Sequence, residues 1–247
     1  MTPAESAALF AVGFVAAVIN VFAAGGSFLT LPMLLFLGLP AAIANGTNRV
    51  GVLAQNFSAV VGFHRHGVLP VRWAISVSIP AMIGAALGVW LALTIPEVAF
   101  RRLLSLVMLA TATATLLRRS IREHRREAVR EPSHWTMVAG FLLMGVYGGF
   151  LQAGVGFFSL ALTTLAGFDL VRGNAIKVLV VMLLTLLSLL VFAGTGHVQW
   201  PAGLALGAGN LLGAMVGVRI AVLRGHRWLE HVVTATIVVF AILLWAT

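Results

Sequence analysis

The sequence of 247 residues has no cysteine, a single tyrosine and little charge, with Asp, Glu, Lys and Arg together making up 9%. Without cysteine there is no disulfide, no thiolate metal site and no cysteine nucleophile, and the redox compartment cannot be read. So little charge excludes an ordinary soluble domain, where about a quarter of positions are charged. The acids are scarcest, standing at positions 5, 97, 123, 127, 131, 169 and 230 only, all in loops or at the ends of apolar runs. No HExxH, GxSxG or P-loop pattern occurs, so nothing points to metalloprotease, serine-hydrolase or ATP chemistry. No cofactor and no metal is expected. The N-terminal MTPAESAALF lacks the basic segment and cleavage site of a secretory signal, and the first apolar run is read as retained.

What is present is apolar: 60% of the residues are hydrophobic. Each membrane-crossing helix takes about 20 apolar residues, and apolar runs at 6–24, 27–37, 41–63, 73–95, 100–117, 135–152, 155–166, 170–193, 201–222 and 228–246 fill nearly the whole chain. The fold class is therefore an all-α polytopic membrane protein, one transmembrane domain over 1–247. The formal charge of +9 belongs to arginines in short loops, where orientation during insertion places them, so topology accounts for the basicity and nucleic acid is not an expected partner. The lipid bilayer is. The histidines at 64 and 66 are two apart and share no helical face, which argues against a metal pair, and most tryptophans fall near run ends as interfacial anchors.

Two runs, 27–37 and 155–166, would be roughly 17 Å long as helices, about half of a hydrocarbon core. Each follows a glycine break, Gly25-Gly26 and Gly154-Val155-Gly156, and each precedes a long run with a polar stripe. In the first half Asn45, Asn48, Arg49, Gln55 and Asn56 recur along one helical face; in the second, Asn174, Lys177, Thr185 and Ser188 do. An ungapped offset of 129 residues lays Gly25, Gly38, Gly67, Gly84 and Gly88 on Gly154, Gly167, Gly196, Gly213 and Gly217, and also Phe28 on Phe157 and Asn45 on Asn174. The chain reads as two homologous repeats, 6–117 and 135–247, joined by a polar linker, 118–134. Each repeat is a broken or re-entrant helix pair plus three spanning helices. The positive-inside rule puts the six arginines of 118–130 in the cytoplasm and both termini outside, so the repeats have inverted topology.

The glycine breaks are where a substrate is expected. Helix N-termini near Ser27 and Val155 present N–H groups and a positive dipole end, which suits a small anion; the alternative is that these glycines only let helices pack closely, which is the preferred reading for Gly84, Gly88, Gly213 and Gly217. Arg49 and Lys177 have no acid nearby in sequence. Two readings stand for them: a transported anion as counter-charge, or snorkelling to lipid phosphates. Neutral hydrogen bonds around such an anion would come from Asn45, Asn48, Asn56, Asn174, Gln152, Thr30 and Ser159, although asparagines also tie helices together. The candidate substrate-binding set is thus Gly25, Gly26, Ser27, Thr30, Asn45, Asn48, Arg49, Asn56, Gln152, Gly154, Gly156, Ser159, Asn174 and Lys177.

The order of these pieces resembles the sulfite exporter TauE/SafE family of membrane transporters. The resemblance is carried by Gly25-Gly26-Ser27-Phe28-Leu29-Thr30-Leu31-Pro32, Leu37-Gly38-Leu39-Pro40 and Asn45-Gly46-Thr47-Asn48-Arg49, then by Gly145 to Gly156, Asn174-Ala175-Ile176-Lys177 and Gly213-Ala214-Met215-Val216-Gly217. Where that family often has a longer glycine run before the first short helix, this chain has Ala23-Ala24-Gly25-Gly26. The resemblance implies a multi-pass protein of the bacterial inner membrane that exports a small sulfur-containing anion such as sulfite, a sulfonate or a related organic acid. An anion channel and an intramembrane enzyme are the competing functions; the enzyme would need a nucleophile or acid–base pair at depth, and none is visible.

Overall fold

A computed structural model describes residues 1–23, 26–121 and 133–224. Gly25, residues 122–132 of the linker and the run 228–246 lie outside the described residues. Those described form nine helices and no strand: α1 (Pro3–Ala23), α2 (Ser27–Phe36), α3 (Ala41–Arg65), α4 (Val71–Thr94), α5 (Glu97–Ile121), α6 (His134–Phe150), α7 (Val155–Leu165), α8 (Leu170–Gly194) and α9 (Trp200–Arg224). Four of them, α1, α4, α8 and α9, are long and apolar enough to cross a membrane. At 25 residues, about 37 Å, α3 is as long as α8, and what sets it apart is its buried polar stripe. The 10 residues of α2 and the 11 of α7 span only about 15–17 Å.

Local chemistry sets these limits. Asp169 caps α8, its Oδ1 accepting the N–H groups of Val171 and Arg172, and Ser133 caps α6 by accepting from Thr136. Prolines 40 and 70 precede α3 and α4. Four helices end alike. Gly38, Gly167, Gly67 and Gly196 follow α2, α7, α3 and α8 at φ of 84°, 86°, 68° and 77°. In each case the glycine N–H bonds back three residues and the next N–H bonds back five, as in Leu39 to Leu34 and Phe168 to Thr163. A side chain resists that left-handed backbone, so two of the five glycine pairs at the 129-residue offset, Gly38 with Gly167 and Gly67 with Gly196, are ones the helix ends require.

The long helices pack crosswise in order. α1 lies along α9, α6 along α4, and α3 and α8 pack on each other and on α9 and α4. Between apolar helices in lipid there is little hydrophobic drive to associate, and close backbone approach does the work instead. A Cβ added at Gly84 or Gly88 would fall inside the carbonyl oxygens of Leu142 or Val146 on α6, and one at Gly145 or Gly149 inside those of Ala81 or Ala85 on α4. The α1–α9 contact repeats the device: Gly209 and Gly213 abut the carbonyls of Phe10 and Phe14, and Gly217 abuts Val21. These glycines serve packing. α2 is almost wholly buried and α7 is buried along one face, and between them Phe28 and Phe157 stack with ring centres 6.5 Å apart.

Candidate functional site

The two helix breaks sit beside one another in the middle of the bundle. After α6, the chain turns through Leu151–Gly154 with Ala153 N–H donating to the Leu151 carbonyl and Val155 N–H to the Gln152 carbonyl. Two residues of the turn are left-handed, Gln152 at φ 64° and Gly154 at φ 76°. Glycine is required at 154 twice over, by that φ and by the Phe28 ring, which lies where a Cβ would go. Tyr147 braces the turn from outside by donating its hydroxyl to the Ala153 carbonyl. At the other break, Gly26 lies so close to the Ala16 carbonyl and Asn20 that no side chain fits, and its N–H donates to Asn20 Oδ1 at 3.4 Å.

Both cations are wholly buried and neither reaches lipid. Arg49, on α3, closes the C-terminal end of α6. Nη1 donates to the Gly148 carbonyl at 3.2 Å and to Gln152 Oε1 at 2.6 Å, while Nη2 donates to the Gly149 carbonyl and to Asn45 Oδ1 at 3.4 Å. Asn45 Nδ2 takes the next carbonyl, Phe150, at 2.8 Å. The ring of Phe192 lies 4.9 Å from the guanidinium carbon. The last carbonyls of a helix carry the negative end of its dipole, so α6 supplies the counter-charge that no carboxylate among the described residues supplies. Lys177, on α8, does the same for α1: Nζ donates to the Asn20 carbonyl at 2.7 Å and to Asn174 Oδ1 at 2.8 Å. Among the described residues the ion pairs are Arg101–Glu97 and Arg172–Asp169, and neither involves these cations.

A cavity of about 10 Å³ lies between the breaks, lined by Asn20, Ser27, Val52, Asn56, Gln152, Gly154, Val155, Gly156, Lys177 and Val181. That is room for about one water. Of the residues singled out in the sequence, Ser27, Asn56, Gln152, Gly154, Gly156 and Lys177 line it. The others stand behind. Thr30 donates its hydroxyl to Asn48 Oδ1 at 2.6 Å, Asn174 holds Lys177, Asn45 and Arg49 hold the end of α6, Gly26 packs on α1, and Ser159 is buried in α7 away from the lining. Gly25 lies outside the described residues.

Lys177 and Arg49 are therefore not equivalent. The two Lys177 bonds leave the third ammonium N–H for the cavity it lines, whereas Arg49 spends its Nη donors on α6, Gln152 and Asn45; its Nε–H has no partner among the described residues, but Arg49 is not part of the lining and meets the cavity only through Gln152. Gln152 is itself fixed at both ends, with Nε2 donating to Thr185 Oγ1 at 2.9 Å. Sequence reading missed Asn20. Its signal was a lone asparagine in an apolar run, six residues before Gly26, and here its carbonyl meets Lys177 while its amide oxygen meets the Gly26 N–H.

The family model described as sulfite exporter TauE/SafE matches residues 9–244. A "probable membrane transporter protein" of Haemophilus influenzae is 32% identical over 229 residues, covering 92% of this chain and 89% of that protein. "Probable membrane transporter protein ORF9" of a Sinorhizobium species is 30% identical, covering 96% and 91%, and "probable membrane transporter protein YfcA" of Escherichia coli K12 is 28% identical, covering 94% and 87%. No solved structure matches. A family match that takes in all nine described helices and the cavity they enclose makes this chain a member of the sulfite exporter TauE/SafE family, a membrane transporter.

Proposed function

We propose that the protein is a secondary transporter that exports a small sulfur-containing anion, such as sulfite, a sulfonate or a related organic acid, across the bacterial inner membrane. The observation that carries this is the cavity between the broken helices, with the Lys177 ammonium on one wall and the opening turns of α2 and α7 on the others. Helix N-termini and an unneutralised cation together favour an anion, and among the described residues no carboxylate pairs with that cation. Lys177 is the residue that touches the substrate in this reading. Arg49, Asn45 and Gln152 are positioning residues that keep the α6–α7 break rigid.

The inverted two-repeat arrangement, with repeats 6–117 and 135–247, is part of the same proposal. It is supported by the pairing of equivalent elements: Phe28 stacks on its offset partner Phe157, α3 packs on α8, and α1–α9 mirrors α6–α4. Such repeats exchange access to a midplane site by rocking against each other. Flux of radiolabelled sulfite and of a panel of sulfonates and carboxylates into proteoliposomes tests the function. Saturable flux that falls with Lys177→Ala is the expected result. Absence of flux for every anion removes the proposal, and unitary currents in a bilayer recording replace the carrier by a channel.

A further inference from the structure

The cavity offers donors to an anion: the third N–H of Lys177, the hydroxyl of Ser27 and, in the opening turn of α7, the N–H of Gly156, those of Val155 and Phe157 being taken by the Gln152 and Gly154 carbonyls. It also holds one group that an anion alone leaves unsatisfied. Asn56, 1% exposed, lines the cavity, and its Oδ1 has no hydrogen-bond partner among the described residues. The amide cannot be turned round to remove the mismatch. Nδ2 donates to the Val52 carbonyl at 2.8 Å, and reversal would press one oxygen against another. The other amide oxygens of the lining are occupied, Asn20 Oδ1 by the Gly26 N–H and Gln152 Oε1 by Arg49. An anion whose outer atoms are all bare oxygens therefore meets Lys177 well and Asn56 Oδ1 badly, lone pair against lone pair.

We infer that the transported species is a monoanion that carries its own hydrogen-bond donor, an O–H or N–H that Asn56 Oδ1 accepts while Lys177 holds the negative oxygen. The inference rests on the anion site proposed above and narrows its substrate class. The donor has two chemical sources, an acid proton left on the oxyanion itself or a hydroxyl on a short chain attached to it. A buried acceptor discriminates strongly between substrates of equal size and charge when only one can pair with it.

The test uses isosteric pairs at one fixed pH with the full chain in proteoliposomes. Methylphosphonate as its monoanion is set against methanesulfonate for the acid-proton source. For the chain-hydroxyl source, 2-hydroxyethanesulfonate is set against propane-1-sulfonate, which has a methyl in place of the hydroxyl. The member with the donor is expected to move with kcat/KM at least about tenfold higher in one or both pairs, and the pair that shows it identifies the source. In Asn56→Leu and Asn56→Val the ratio is expected to fall to near one. Because each ratio is taken within one preparation, the amount of folded protein cancels. Equal rates within both pairs in the parent overturn the inference and leave the anion carrier standing. A preference that survives in both Asn56 variants also overturns it, since another group then reads the donor. No transport of any of the four compounds, with none of sulfite either, removes the carrier reading and the inference with it.

Discussion

Replacing Arg49 with methionine keeps an unbranched side chain but strips four acceptors of their donor: the carbonyls of Gly148 and Gly149, Gln152 Oε1 and Asn45 Oδ1. Removing one side of a buried charged network costs about 3–5 kcal/mol. For a chain of this size that is a fall in melting temperature of roughly 6–20 °C. Lys177→Met strips two acceptors, the Asn20 carbonyl and Asn174 Oδ1, and relieves the cost of holding a cation with a free N–H in the interior, so its thermal effect should be less than half as large. Its functional effect runs the other way. A charge-assisted contact contributes about 1.5–3 kcal/mol, so flux per folded molecule at sub-saturating substrate should fall at least about tenfold, and Lys177→Arg, which keeps the charge in another geometry, should recover part of it. The assay is size-exclusion after a heat step for folded fraction, combined with proteoliposome flux normalised to that fraction. An Arg49→Met protein that melts with the parent yet transports nothing would refute the division of labour between the two cations, as would Lys177→Met with unchanged normalised flux.

Two further outcomes are expected. Gly84→Val drives its side chain into the Leu142 carbonyl of α6 and should cost about 1–3 kcal/mol or more as overpacking, read as lost monodisperse protein, while Gly194→Val, with nothing within 4 Å among the described residues, serves as the control and should purify like the parent. On the naturally cysteine-free chain, Thr195→Cys should react with an impermeant maleimide added outside intact cells and His66→Cys should not, both being exposed helix-end positions; labelling of 66 from outside would contradict the inverted topology.

Helix limits were legible because the signals are local. The apolar runs 41–63 and 170–193 are the helices Ala41–Arg65 and Leu170–Gly194, and the glycines that coincide at the 129-residue offset include four helix C-caps whose backbone admits little else. The short helices were also visible, since a run half the thickness of a bilayer has few other uses. What could not be read was which cation would be spent on structure. Arg49 and Lys177 look alike in sequence, each a base in a polar stripe with no acid near. The Arg49 partners lie about a hundred residues away in the last turn of α6 and the turn after it, and no periodicity in α3 announces them. Absence of a carboxylate implied an unmet charge, but terminal helix carbonyls can meet it. The same long-range pairing hid Asn20, whose role comes from its backbone carbonyl and so leaves no trace in residue type.

The pairing of α1 with α9 has a consequence for how the protein is made. Of the described helices α1 leaves the ribosome first, and its contact face, with Gly13 near the middle, is presented to a helix that ends at Arg224. At ordinary synthesis rates that partner follows only after about 10–40 s. Throughout that interval the α9-facing side of α1 is uncovered, and for most of it the Asn20 carbonyl at its end has yet to meet Lys177 of α8. A ribosome that stops after α8 releases a chain holding every residue that lines the cavity, but α1 has no long helix to lie against. Closure of the α1 seam thus waits for the synthesis of α9, and a chain cut short before it keeps the face of α1 around Gly13 uncovered.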